Sequence, residues 1–192
     1  MDIDKLKEDV VFHDKVMDID LTFHSTWGLF SPREIDAGTR LLLEYIEING
    51  NDVCLDLGCG YGAIGIFMAR LAINGSIYMV DKDFVAVEYA RKNIGINRLK
   101  NCEAFLSNAF SNIKDELEFD IIASNLPANA GKELLSIVLS DAKKHLKKNG
   151  KLYVVTIAGL REFIKRNFVN MFGNYDKVKQ GGEHALHLAV NR

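Results

Sequence analysis

"LDLGCGYGAIG", Leu55 to Gly65, sets Gly58, Gly60, Gly62 and Gly65 directly behind an apolar run. The run leading into it, "DVCLDL", has the length and composition of a short strand, and from Ala63 to Leu71 apolar residues recur as they do on a helix. The glycines therefore mark a strand-to-helix turn, where missing side chains let backbone N–H groups come close to a ligand. Gly60, Gly62 and Gly65 satisfy the G-x-G-x-x-G spacing of nucleotide-binding turns, which is weak evidence by itself. Asp81 strengthens it. It closes the next apolar run, "GSIYMVD", one βα unit later, where a carboxylate can accept hydrogen bonds from ribose hydroxyls. The pair predicts a ligand that contains a nucleoside.

Outward from this turn the chain alternates. Upstream, Leu41, Leu42, Tyr45 and Ile46 form a helical stripe with Asp36 as its cap, and "VVFHDKVMDIDLTFHS" has the period-two character of a hairpin lying over the site. Downstream come a helix over "FVAVEYARKNIGI", a strand at "CEAFLSN" and a strand from Phe119 to Ser124 with Asn125 just beyond its end. One long helix over "GKELLSIVLSDAKKHLKKNG" follows, then a strand "KLYVVTI" and a helix from about Leu160 to Met171. The tail breaks the rhythm with two strand-like runs, "NYDKVKQ" and "HALHLAVN", around "GGE". Strands alternating with helices predict an α/β fold, a mostly parallel sheet with helices on both faces, and the tail adds an antiparallel edge. Residues 27–192 are expected to form one domain, and residues 1–26 an N-terminal extension, a β-hairpin packed on it.

Composition limits the functions open to such a fold. The 192 residues are 48% hydrophobic and 26% charged, ordinary values for a chain with one substantial core. A formal net charge of −2 does not advertise polyanion binding. "KKHLKKNGK", Lys143 to Lys151, and the group Arg161, Lys165 and Arg166 read first as solvated helix faces, the former being the stretch open to an RNA. Cys54, Cys59 and Cys102 form no C-x-x-C pair, which fits a reducing compartment. His184 and His187 are three apart on an expected strand and so point to opposite faces, which argues against a metal site. No apolar run is long enough to span a bilayer, and the charged opening "MDIDKLKEDVVFHDK" has no leader pattern, so the expectation is a cytoplasmic protein without a membrane partner. Trp27, the sole tryptophan, is expected in the core.

Asp56 separates the nucleoside-containing cofactors, because a carboxylate before the loop repels a pyrophosphate and suits an ammonium group. S-adenosylmethionine carries that ammonium and no phosphate. With "LDLGCGYGAIG", "MVDKD" and the hairpin tail, the chain resembles class I S-adenosylmethionine-dependent methyltransferases. The resemblance implies a Rossmann-like, seven-stranded sheet in the order 3-2-1-4-5-7-6, strand 7 antiparallel, and S-adenosyl-L-methionine as cofactor. It implies that Asp56, Gly58, Cys59, Gly60 and Gly62 cradle the methionine part, that Asp81 and Lys82 meet the ribose, and that Asn108 and Ala109 in "LSNAF" lie at the adenine edge. A strand-end turn accounts for Asn108 equally well.

"ASNLPANAGKE", Ala123 to Glu133, then takes a place in the scheme. Pro127 biases Leu126 toward an extended backbone, stiffening a loop that presents the Asn125 side-chain oxygen beside the Leu126 carbonyl. Two such acceptors take both hydrogens of a planar exocyclic amine and leave its nitrogen facing a methyl donor. Asn125, Leu126 and Pro127 resemble the Asn-Pro-Pro-(Phe/Tyr) motif of enzymes that methylate amino or amide nitrogens of guanine, adenine or glutamine. Leu126 replaces the first proline, and Ala128 replaces the aromatic that stacks on the target.

"WGLFSPREIDAGTRLLLEYI", Trp27 to Ile46, together with "AGKELL", is similar to the small-domain group that includes ribosomal RNA small-subunit guanine-N2 methyltransferases. By that pattern Phe30 and Thr39 border the cofactor and acceptor pocket. The expectation is methylation of an exocyclic nitrogen, foremost guanine N2 in ribosomal RNA. Adenine or a protein glutamine as target, a non-catalytic cofactor-binding subunit and, more distantly, an NAD-dependent oxidoreductase remain open alternatives.

Overall fold

A computed structural model describes residues 9–127 and 129–192. Ala128 and the first eight residues of the N-terminal extension lie outside the described residues. The chain opens with an antiparallel hairpin, β1 (Val10–Val16) and β2 (Ile19–Ser25), followed by helix α1 (Ala37–Tyr45). Then come β3 (Val53–Leu57), α2 (Ala63–Leu71), β4 (Ser76–Asp81), α3 (Phe84–Ile96) and β5 (Cys102–Leu106). The second half contains β6 (Phe119–Asn125), α4 (Lys132–Lys144), β7 (Leu146–Ile157), α5 (Arg161–Phe172), β8 (Asp176–Gly181) and β9 (His184–Val190).

β3 to β9 form one seven-stranded sheet in the order β5-β4-β3-β6-β7-β9-β8. Counted from β3, this is the expected 3-2-1-4-5-7-6. The strands from β5 across to β7 pair in parallel, and β9 runs antiparallel to both β7 and β8. Alternate strand residues divide the core. Cys54, Ile77, Ile121, Tyr153 and Val155 pack under α1, α2 and α3, whereas Leu55, Val80, Ile122, Leu152 and Val154 pack under α4 and α5. The parallel strands are thus apolar on both faces, which is why they read as continuous hydrophobic runs.

The hairpin is bound into this body by its sequence. Leu21 and Phe23 of β2 are 2% and 0% exposed, and burying each contributes roughly 1.5–3 kcal/mol. The free edge of β2 is satisfied by two side-chain amides of α3 that act as a short surrogate strand. Asn93 accepts from the His24 N–H at 2.7 Å and donates to the His24 carbonyl at 2.8 Å, while Asn97 does the same for Thr22 at 3.3 and 2.8 Å.

Two differences from the sequence reading bear on the basic stretch and on Asn125. The long helix expected over "GKELLSIVLSDAKKHLKKNG" stops at Lys144, because His145 turns inward to stack on Phe110, centroids 5.0 Å apart, while its carbonyl accepts the Phe119 N–H. Lys147 to Lys151 therefore lie on β7, at a bulge where the register shifts between Phe119 and Ile121 and Asn149 takes φ of +66°. Asn125 is not beyond β6. It is the last residue of that strand, paired with Val155.

Candidate active site

The carboxyl ends of β3, β4, β5 and β6 bring together the residues singled out above. β3 ends in a turn in which Gly58, Gly60 and Gly62 take φ of +76°, +55° and +95°, conformations that side chains disfavour. A Cβ on Gly58 or Gly60 would meet nothing within 4 Å, so the surface above them is open. Four of the turn's N–H groups, however, are taken up within the protein. Gly58 and Cys59 donate to the Val80 carbonyl, both at 2.9 Å, Gly62 to the Cys59 carbonyl at 2.8 Å, and Gly60 to Asp81 Oδ2 at 2.9 Å. Four of the loop's N–H groups are thus bonded within the protein, and the Asp56 and Asp81 carboxylates beside it make it a poor setting for a diphosphate.

Asp56 is completely buried. Its Oδ2 accepts the Gly65 N–H at 2.7 Å, and its Oδ1 has no hydrogen-bond partner among the described residues. Burial pushes its carboxyl up to about 7, with the neighbouring Asp81 adding to the rise and the Gly65 N–H opposing it. Gly65 leaves room for this contact, since a Cβ there would lie 2.3 Å from Met79 Cγ and 3.2 Å from Asp56 Oδ2. A buried acceptor short of a donor suits a ligand that brings one, as an ammonium group does.

Asp81 ends β4, its Oδ1 accepting the Asp83 N–H at 2.9 Å, and Lys82 beside it is exposed. Past β5, Asn108 is exposed at the start of a turn in which its N–H donates to Ser111 Oγ at 3.1 Å. Ala109 follows with φ of +49°, its carbonyl accepting the Ser107 hydroxyl at 2.6 Å. Cys59 is buried, and burial raises its thiol well above the ordinary range, so its side chain is an inert filler of the loop.

At the end of β6 the Ser124 hydroxyl donates to the Leu57 carbonyl at 2.6 Å, tying this strand to the root of the glycine loop. Asn125 comes next, and its amide nitrogen donates to Asp36 Oδ1 and Oδ2 at 3.1 and 3.3 Å and to Thr39 Oγ1 at 3.0 Å. With the nitrogen so engaged, the amide is fixed and its oxygen is directed away from α1. The Leu126 N–H is held by the Val155 carbonyl at 3.0 Å, its side chain is buried, and Pro127 is exposed. Asp36, read in the sequence as a cap and as part of the Trp27–Ile46 pattern, does two things. It accepts the Gly38 and Thr39 N–H groups at the start of α1, and it orients Asn125 across 89 residues of chain. No local pattern signals such a contact.

His184 is the other residue that motif reading missed here. At the start of β9 its ring packs against Gly38, where a Cβ would lie 2.8 Å from its Cδ2. His187, on the opposite face, is buried between Thr156 and Tyr175, at 3.1 and 3.2 Å from their hydroxyls, and burial depresses it to about 4. Phe30 stands 71% exposed. Trp27 is not in the core but 48% exposed, with the Arg33 guanidinium 4.2 Å from its ring centroid. The basic stretch Lys143–Lys151 lies at the amino ends of the strands, about 20 Å of strand away from Asn125.

The reversed seventh strand and a glycine loop flanked by the Asp56 and Asp81 carboxylates define a Rossmann-like methyltransferase fold rather than a dinucleotide-binding one. The chain belongs to the methyltransferase small domain family, whose profile matches residues 20–187. It is 35% identical over 178 residues to ribosomal RNA small subunit methyltransferase C of Haemophilus influenzae, covering 90% of this chain and 52% of that protein. An uncharacterized Bacillus subtilis protein, YbxB, is 37% identical over 139 residues, covering 71% of this chain and 68% of the relative. Among solved structures, the Thermus thermophilus 16S rRNA N2 G1207 methyltransferase in complex with AdoMet and guanosine superposes with a TM-score of 0.85 at 26% identity. That match covers 95% of this chain and 50% of the other. The chain spans about half the length of these ribosomal RNA methyltransferases. Among the described residues no helix is long and apolar enough to cross a membrane, and no group of three or more His, Cys, Asp or Glu side chains is arranged to hold a metal ion.

Proposed function

We propose that the chain transfers a methyl group from S-adenosyl-L-methionine to an exocyclic amino nitrogen, guanine N2 of ribosomal RNA. The observation that carries this reading is the fixed Asn125 amide, whose nitrogen is held by Asp36 and Thr39 so that its oxygen is left to accept from an amine. Beside it the Leu126 carbonyl supplies the second acceptor, and Pro127 stiffens the pair. The amine nitrogen forms the new N–C bond as the C–S bond breaks and its electron pair passes to sulfur, and the surplus proton leaves the nitrogen for solvent. When bound, S-adenosylmethionine supplies a methyl group already activated by its sulfonium, so the chain's own residues contribute position and charge complementarity.

In this reading Asp56, Gly58, Cys59, Gly60 and Gly62 hold the methionine part. The orphaned Asp56 Oδ1 and the open space above Gly58 and Gly60 fit it. Asp81 and Lys82 meet the ribose, Asn108 and Ala109 the adenine edge, and Thr39 borders the pocket. Ribosomal RNA as substrate implies a cytoplasmic setting. The division into an extension, 1–26, and a catalytic domain, 27–192, is likewise a proposal, and buried Leu21 and Phe23 imply that cutting at residue 26 costs stability. The test is transfer of radiolabelled methyl from S-adenosylmethionine to RNA and protein fractions of a host lacking this gene, with digestion of the labelled product. N2-methylguanosine is expected. Label in protein glutamine overturns the substrate, and cofactor binding without label overturns the enzyme.

A further inference from the structure

The loop that leads from β2 into α1 is firmly held. Leu29 and Ile35 are buried, and the Leu29 N–H donates to the Thr26 carbonyl at 3.0 Å. The Glu34 carbonyl accepts both the Ser31 hydroxyl at 2.8 Å and the Tyr61 hydroxyl of the glycine loop at 3.1 Å. Two residues later Asp36 grips Asn125. The loop is strung between the two halves of the site, cofactor turn on one side and acceptor amide on the other.

A loop anchored this well is free to bury its rings, yet it does the reverse. Phe30 and Trp27 are 71% and 48% exposed, and Ser31 between the two anchors takes φ of +46°, unfavourable for any residue with a side chain. Arg33 lies over one face of Trp27. Exposed rings with a guanidinium beside them are the composition with which proteins hold unstacked nucleotides, ring on base and cation near phosphate. The acceptor loop has a matching need, since Ala128 stands where the Asn-Pro-Pro-(Phe/Tyr) motif has its stacking ring.

We infer that the loop Trp27–Arg33 is the base-stacking platform of the acceptor site, where Phe30 and Trp27 receive unstacked nucleotides of an RNA and Arg33 meets the adjoining phosphate. The inference rests on the chain being an RNA methyltransferase and names the surface by which that RNA is held.

Trp27 is the only tryptophan, so fluorescence excited selectively at tryptophan reports on this loop alone. The full chain, loaded with S-adenosylhomocysteine, is titrated with a short single-stranded oligoribonucleotide carrying a central guanosine, and with a glutamine-containing peptide. The RNA is expected to quench Trp27. Phe30→Ala is expected to weaken RNA binding about tenfold and Phe30→Tyr to restore it, both with unchanged affinity for S-adenosylhomocysteine. RNA binding without quenching, RNA affinity unaltered in Phe30→Ala, or quenching by the peptide alone overturns the platform. Methyl transfer, assayed in parallel on the same protein variants with S-adenosylmethionine in place of S-adenosylhomocysteine, keeps the two readings apart. Wild-type transfer to RNA that Phe30→Ala leaves undiminished sinks the platform and spares the function, whereas quenching by RNA with no transfer by wild type sinks the function and spares the platform.

Discussion

The same parallel strands begin in one kind of chemistry and end in another. At their amino ends charged groups answer each other. Lys147 pairs with Asp120 and Lys151 with Glu47, each at 2.7 Å, and Asp120 also accepts the Val53 N–H at 2.8 Å. At their carboxyl ends groups are left short: Asp56 has a buried oxygen without a partner among the described residues, three glycines take left-handed angles, and apolar rings face water. Local consistency stabilises a fold, and departures from it concentrate where a ligand completes the structure. The contrast teaches where binding energy has room to act. The sharpest ways to break it lie at the carboxyl edge.

Asp56 carries the largest expected effect. Its carboxyl is raised from 3.8 to about 7, so the folded chain holds a proton that the unfolded chain has lost. Stability from this group is fully present below about pH 4 and is lost as pH rises through about 7, on the order of 4 kcal/mol for such a shift. Asp56→Asn removes that loss, so the variant gains on wild type as pH rises, while its affinity for S-adenosylmethionine falls. Urea unfolding of both proteins from about pH 4 to pH 8, without ligand, checks the slope. Parallel curves for the two proteins would show that Asp56 ionises freely in the fold and that the carboxyl edge carries no such strain.

Next comes the acceptor pair. Asn125→Ala is expected to lower turnover at least ~100-fold, about 2.7 kcal/mol, with cofactor affinity nearly intact, because the lost bond acts on the amine and not on the donor. Single-turnover methyl transfer alongside calorimetric binding of S-adenosylmethionine separates the two. Unchanged turnover would remove Asn125 from the site. Thr39→Ala is the milder version. It takes away one of the two groups that fix the amide, leaves Asp36 in place, and is expected to lower turnover about tenfold.

These residues differ in how far the sequence reveals them. Glycine punctuation and apolar runs mark α2 and α3 to the residue and β3 and β4 to within one, because each boundary there is set by the local chain. The α4–β7 boundary is not legible, because "KKHLKK" is a good helix locally and is stopped by His145 docking on Phe110, a tertiary contact. Trp27 fails for a related reason. Hydrophobicity alone places a tryptophan in the core, and only the chain path shows its ring beside Arg33 in solvent. Within the candidate site, Asp56, Asp81 and Asn125 follow from position at the carboxyl end of a strand, whereas the Asp36–Asn125 contact joins segments 89 residues apart and leaves no pattern to read.

The smallest expected effect tests the other edge of the sheet. Lys147 and Asp120 are each about one third exposed, so their ion pair contributes at most about 1 kcal/mol, and Lys147→Ala is expected to lower stability by no more than that. The substitution removes a positive charge from the stretch that looks most like an RNA patch in the sequence. That charge is already matched by Asp120, Lys144 is matched by Asp141, and Lys151 by Glu47. RNA affinity and its dependence on salt are therefore expected to stay as in wild type, since no phosphate contact is lost. A shallower salt dependence in Lys147→Ala would mean that RNA reaches the amino edge as well, and the division of labour between the two ends of the strands would have to be redrawn.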